Sequence, residues 1–285
     1  MSSERRVTSI ATVANWPTAE RRRVEFVLTD IDDTLTLHGR LPALAYAAME
    51  RLAEAGFKVI PITGRPAGWC DHIARMWPVE GVVGENGAFW FRHDPTAGRL
   101  VRRFLVDDAT RRANRSRLDG LADRILAEVL GCALASDQLY READLAIDFC
   151  EDVRPLSDTD VARIVDLFEA AGCTTKVSSI HVNGWFGDYD KLTMTRLLLR
   201  EVFGVDLDGA LDRFVFVGDS PNDQPMFAHF PNSIGVANLR RFFGALSTPP
   251  RWLTEQEGGQ GFAEVAQLLL AARNPGDTAI RLPAS

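Results

Sequence analysis

Val24-Glu25-Phe26-Val27-Leu28-Thr29-Asp30-Ile31-Asp32-Asp33-Thr34-Leu35 is a nearly unbroken apolar run that ends in a cluster of carboxylates. Such a run suits a strand covered on both faces, as in a parallel sheet, and the acids follow at its carboxyl end, where ligands of open α/β sheets bind. Asp30 and Asp32 are two residues apart, so strand geometry persisting through Ile31 sends both carboxylates to the same side of the chain. Two like charges that close are reconciled by a metal ion, or by one of them holding a proton for part of a reaction cycle. A phosphoryl-transfer site would use both devices. A polar turn capped by Asp32 and Asp33 is the plainer reading of these acids taken alone.

Working outward, residues 41–55 place Leu44, Ala45, Ala48, Leu52 and Ala55 at helical spacing, with Gly56 as a stop. Residues 57–63 are a second apolar strand, ending in Thr63-Gly64-Arg65-Pro66. Strand, helix, strand is the βαβ unit of a parallel sheet, although Pro61 counts against a regular central strand. A helix over 67–76 and a short strand over 81–84 follow, running into Glu85-Asn86-Gly87-Ala88, which alone reads as an Asn-Gly turn.

From Phe89 to about Trp185 the texture changes to strand-like stretches (99–106, 145–150, and one or two strands over 177–182) around two helices, 108–130 and one capped by Ser157 and ended by Gly172. This predicts an α+β insert with helices on one face of an antiparallel sheet. The chain then returns to its first pattern. Asp188-Tyr189-Asp190-Lys191 opens a helix ended by Gly204, and residues 213–218 form a buried strand leading to Asp219, with Ser220-Pro221 starting another helix. Residues 234–237 and 261–272 add a strand and a closing helix. The fold expected is α/β: a Rossmann-like parallel-sheet core, residues 24–88 and 186–273, with an inserted α+β cap, residues 89–185. Residues 1–23 and 274–285 read as N- and C-terminal tails, the first with Arg21-Arg22-Arg23 as a solvated lead-in.

Asp30-x-Asp32-x-Thr34 after an apolar strand resembles the first motif of the haloacid dehalogenase superfamily of phosphohydrolases. Three further stretches match that family in order: Ile62-Thr63-Gly64-Arg65, Lys191 at a helix start, and Gly218-Asp219-Ser220-Pro221-Asn222-Asp223. Glu85-Asn86-Gly87-Ala88 resembles the segment that leads from core to cap in one branch. The position of the insert resembles the second cap class, in particular the branch acting on sugar phosphates. Asp33 stands where the family often has glycine.

The resemblance implies that Asp30 is the nucleophile, already ionised at neutral pH, and that Asp32 protonates the leaving oxygen and later activates water against an aspartyl-phosphate. It implies magnesium (Mg2+) held by Asp30, Asp219 and the main-chain carbonyl of Asp32, with Asp223 and Asn222 beside it, since hard oxygen ligands suit that ion. Thr63, Gly64 and Lys191 would bind the phosphoryl group, and Arg65, Trp69, Asn86 and Asn183 would border the substrate. The expected substrate is a small phosphorylated metabolite. A phosphomutase of the same fold and a non-catalytic phosphosugar-binding regulator are the rivals; retention of both Asp30 and Asp32 argues against the second.

The 285 residues suffice for a large core, and a net charge of −7 supplies no general attraction to nucleic acid or an anionic membrane. No stretch has signal-peptide character or spans a bilayer, so the expectation is a cytoplasmic protein. Cys70, Cys132, Cys150 and Cys173 lack zinc or disulfide spacing. The five histidines show no metal spacing, and Arg102, Arg103, Arg111, Arg112, Arg115 and Arg117 read as a solvated cap surface.

Overall fold

The computed structural model describes residues 9–178 and 180–273, so the expected C-terminal tail lies outside the described residues. In chain order, β1 (Ala11–Thr12), α1 (Thr18–Arg21), β2 (Phe26–Thr29), α2 (Ala43–Glu54), β3 (Lys58–Pro61), α3 (Ala67–Met76) and β4 (Val82–Gly84) come first. Next are β5 (Phe89–Asp94), β6 (Arg99–Phe104), α4 (Asp108–Glu128), β7 (Ala133–Leu134), β8 (Leu145–Asp148), α5 (Asp158–Ala170), β9 (Thr174–Val177) and β10 (His181–Trp185). Last are α6 (Lys191–Phe203), β11 (Phe214–Gly218), α7 (Gln224–His229), β12 (Ser233–Gly235), β13 (Trp252–Leu253) and α8 (Gly258–Arg273).

The main sheet is parallel, in the order β1-β13-β12-β11-β2-β3. Its strands are apolar on both sides because both sides are covered. Val27, Val215 and Val217 enter one cluster with α2, α3 and α8, while Phe26, Leu28, Phe214 and Phe216 enter a second with α6 and α7. Pairing of β2 with β11 sets Thr29 beside Val217, so the two acid-bearing loops leave the sheet side by side. Pro61 sits at the β3 end of the sheet, where a missing N–H is tolerated.

Two expectations are corrected here. Residues 11–21 are not a tail: β1 pairs with β13, and Val13 and Trp16 are buried in the first cluster, closing a sheet edge. Arg21 and Arg22 donate to the carbonyls of Leu268 and Ala272 near the end of α8, where cations suit the helix dipole. The hairpin β5–β6, expected with the insert, continues from β4, and its Phe89, Phe91, Trp90 and Phe104 pack with the two clusters of the parallel sheet.

A third cluster, with Leu118, Ile125, Leu145, Ile147, Ile164, Phe168 and Val182, joins α4 and α5 to one face of the antiparallel sheet β7-β8-β10-β9. Gly184 allows this packing, since a Cβ there would overlap the Phe168 ring. Asn183 and His181 stand on the opposite face of β10 and look toward the acid-bearing loops after β2 and β11. Ser157 caps α5 by accepting from the Asp160 amide, as its sequence predicts. All four cysteines are free, with Cys70 and Cys173 buried. Among the described residues no helix is long and apolar enough to cross a membrane.

Candidate active site

The β2 strand ends at Thr29, and the chain then turns, so Asp30 and Asp32 do not follow one strand face. Asp30 is fixed by its amide, which donates to the Val217 carbonyl (2.9 Å), and its carboxylate accepts from Lys191 Nζ (2.6 Å). Lys191 is the first residue of α6, which Asp190 caps by accepting from the Thr193 amide. The same ammonium donates to Asp223 Oδ1 (3.1 Å), whose other oxygen accepts from the Asp219 amide (3.1 Å). Gly218 is required for this packing, because a Cβ there would stand 2.5 Å from Asp223 Oδ2.

Asp30, Asp219 and Asp223 are all buried, with carboxylate oxygens within 4.8 Å of one another. Burial pushes the Asp30 pKa up to about 7, against the pull of Lys191, with Asp223 and Asp32 adding to the rise. Burial, with Asp223 and Asp30 adding, also pushes Asp219 well above the usual carboxylate range. Burial opposes the Lys191 charge, but Asp223 and Asp30 outweigh it and hold its pKa above the ordinary lysine value. Three buried acids share one ammonium in a hard-oxygen donor set, and their ionised forms repel one another. That set fits a divalent cation such as Mg2+, which would offset the repulsion. Asp32 stands outside this cluster. The side chain of Asn222 lines the cavity, and its main-chain carbonyl accepts from Lys176.

Asp32 is gripped by Arg65, whose Nε and Nη2 reach its two oxygens at 2.6–3.0 Å. Arg65 lies over the Trp69 ring and 3.9 Å from Asp137. Thr63 Oγ1 accepts from the Arg65 amide (3.0 Å); Thr63 is fully buried and lies behind Gly64 and Arg65, which line the cavity. Gly64 packs against the Asn86 side chain, whose Oδ1 would stand 3.2 Å from a Cβ at residue 64, a tight contact. Asp33 has φ of 53°, the left-handed region in which a glycine is free of strain, and its carbonyl accepts from Asn238 (2.8 Å).

Around these groups lies a cavity of ≈ 530 Å³ lined by Asp30, Asp32, Gly64, Arg65, Lys191 and Asp219 from the parallel-sheet side and by Lys176, His181 and Asn183 from the antiparallel sheet. His181 pairs with Glu151 (2.8 Å) at its wall. Of the arginines expected on a solvated cap face, Arg102, Arg103, Arg112 and Arg117 are exposed, with Arg102 and Arg103 beside Asp71 and Glu201 and Arg117 over Phe186, while Arg111 and Arg115 are half-buried beside Glu142 and Asp119.

Sequence reasoning missed the joint beneath this cavity. Glu85, fully buried and at φ of 42°, accepts from the amides of Ala67, Glu142, Ala143 and Asp144. Arg141 binds Asp137, Asp144 and the Gly64 carbonyl, and Asn183 donates to Asp144. Asn238 was also missed; it ties Asp33 and Asp219 to the start of α8. No local pattern announces any of them. The adjacent Asn-Gly pair marked the turn but not the acid before it.

A scan of the sequence against family models finds no match, and neither does a search of curated proteins. Solved structures do match. A protein from Thermoplasma acidophilum is 19% identical, covering 86% of this chain and 98% of its own, with a TM-score of 0.65. A putative HAD/COF-like hydrolase from Plasmodium vivax is 17% identical over 91% of this chain and 100% of its own, TM-score 0.63. The fold is that of the haloacid dehalogenase-like hydrolases. A Synechocystis sucrose-phosphatase, solved with sucrose and phosphate, shares this haloacid dehalogenase-like fold at 14% identity, covering 87% of this chain and 98% of its own, TM-score 0.59.

Proposed function

We propose that the protein is a magnesium-dependent phosphomonoester hydrolase that acts through an aspartyl-phosphate on a small phosphorylated metabolite, of the sugar or polyol phosphate kind. The observation that carries this reading is the Asp30 carboxylate, held at the end of a buried strand by Lys191 and facing a cavity, with Asp219 and Asp223 within 4.8 Å. The sugar phosphatase among the proteins of this fold supports the substrate class.

In this mechanism Asp30 attacks phosphorus, forming the Asp30 O–P bond as the bond from phosphorus to the leaving oxygen breaks. Asp32 gives its proton to that oxygen, then takes one from water, which attacks phosphorus and releases inorganic phosphate and free Asp30. Both Asp32 oxygens face the Arg65 fork, so for Asp32 to pass a proton to the leaving oxygen Arg65 must turn away from it, toward the substrate, during the cycle. Lys191, the Thr63 hydroxyl and the Gly64 amide stabilise the phosphoryl oxygens. Asp30, Asp219 and Asp223 would hold the divalent cation, which when bound supplies positive charge beside the phosphoryl group.

The division into core and cap is part of the proposal, with the cap narrowed to about residues 105–186 because residues 89–104 pack with the parallel sheet. Its antiparallel sheet roofing the loops supports the second cap class and selection of the leaving group between core and cap. A cytoplasmic location is proposed on the same composition as before. The test is release of inorganic phosphate from a panel of phosphosugars, nucleotides and phosphopeptides, with and without chelator. Preference for phosphopeptides, or full activity in metal-free protein, would overturn the proposal.

A further inference from the structure

β9 sets Lys176 opposite Asn183 in the antiparallel sheet, on the face that looks onto the catalytic loops. From there its side chain crosses to the main-chain carbonyl of Asn222 (3.1 Å), the residue before Asp223. Lys176 is the one lysine that the insert brings to the cavity among the described residues, and it lies close enough to Lys191, Asp223, Asp190 and Asp30 for its charge to feel each of them.

Its surroundings differ from those of its neighbours. Arg65, Arg141 and Lys191 each rest against carboxylates, whereas among the described residues no acid stands within ion-pair distance of Lys176. A partly buried ammonium with only a neutral carbonyl to bind gives up hydration without a countercharge, an arrangement that costs stability unless an anion arrives. The charge balance says which anion. With a divalent cation bound, three ionised carboxylates on Asp30, Asp219 and Asp223 would be balanced by that cation and Lys191, so an incoming phosphoryl dianion would find a centre that is already neutral.

We propose that Lys176 is a catalytic cation lent by the insert: on substrate binding its ammonium leaves the Asn222 carbonyl and contacts a non-bridging phosphoryl oxygen. The inference rests on the phosphatase reading and extends it. The insert then contributes to the phosphoryl-transfer step itself, and the centre is complete only when β9 is seated over the loops.

The test compares Lys176→Met, Lys176→Gln and Lys176→Arg, using p-nitrophenyl phosphate, whose leaving group needs no sugar contacts, and inhibition by inorganic phosphate. Losing the charge should lower kcat by about 10- to 100-fold in the Met and Gln variants and weaken phosphate inhibition about tenfold, while Arg recovers most of both. Gln keeps a donor for the Asn222 carbonyl but no charge, so a Gln variant as active as wild type would show that Lys176 only fastens the insert, and would overturn the inference. So would a Met variant with unchanged kcat and unchanged phosphate inhibition. Urea unfolding of each variant separates loss of fold from loss of charge. Wild-type protein that neither releases nor binds phosphate would instead remove the phosphatase reading, and this inference with it.

Discussion

Gly87→Ala tests how the turn after β4 holds Lys191 against Asp30. Gly87 has φ of +110°, and a Cβ there would overlap the main-chain carbonyl of Asp190 and stand 3.0 Å from the Lys191 amide. Carbon contacts settle near 3.5–4.0 Å, so the start of α6 must retreat by roughly 1 Å. Overpacking of that kind costs about 1–3 kcal/mol, and an L-residue in the left-handed region adds roughly 1–2 kcal/mol. A total of about 2–5 kcal/mol is a large part of the 5–15 kcal/mol typical of a domain, yet leaves most domains folded at 25 °C. The functional effect is sharper. Lys191 Nζ lies 2.6 Å from Asp30, and a 1 Å misplacement at a reacting centre costs about 10²-fold in rate. The assay is urea unfolding alongside the kcat for phosphate release under conditions where the variant is folded. An alanine variant with the wild-type urea midpoint and wild-type kcat would refute the packing argument.

Asp32→Asn should slow turnover by about 10²–10⁴-fold on a sugar phosphate, whose leaving oxygen needs a proton, and much less on p-nitrophenyl phosphate; equal losses on both substrates would remove Asp32 as the acid. Burial, with Asp144 adding, pushes the Glu85 pKa up to about 7, against Arg141 and its amide donors. A carboxyl raised above its unfolded value of 4.5 contributes stability that is fully present below that value and is lost as pH rises through about 7. Wild-type protein should therefore lose more stability between pH 4.5 and 7.5 than Glu85→Gln, and parallel pH profiles of the two urea midpoints would contradict this.

Much of the fold was legible because its signals are local. Residues 26–29 and 214–218 are apolar on both faces and end in acids, so the parallel sheet followed from sequence, while the meeting of Asp30 with Asp219 was implied by the family resemblance. The helix starting at Lys191 was marked by Asp190 and Gly204, the cap and the left-handed stop observed. What escaped depends on distant partners. β1 and β13 have two residues each, too few for any periodicity. The hairpin β5–β6 alternates as an insert strand pair would, and only its contacts with the parallel sheet assign it elsewhere. Glu85, Arg141 and Lys176 draw their meaning from groups far along the chain, Lys176 from a carbonyl 46 residues away. The condition for aligning Asp30 and Asp32, a strand running through Ile31, is not met because the strand ends at Thr29; both acids still line one cavity, each against its own cation.

The central claim is that Asp30 carries the phosphoryl group between substrate and water. The most direct measurement is rapid acid quenching of the protein during turnover of a phosphosugar with Mg2+, followed by mass-spectrometric mapping of the phosphorylated peptide. The account predicts one phosphoryl group on Asp30, absent from chelator-treated protein and from Asp30→Asn. Phosphate transferred to another residue, or phosphoenzyme forming at the wild-type rate in Asp30→Asn, would contradict it.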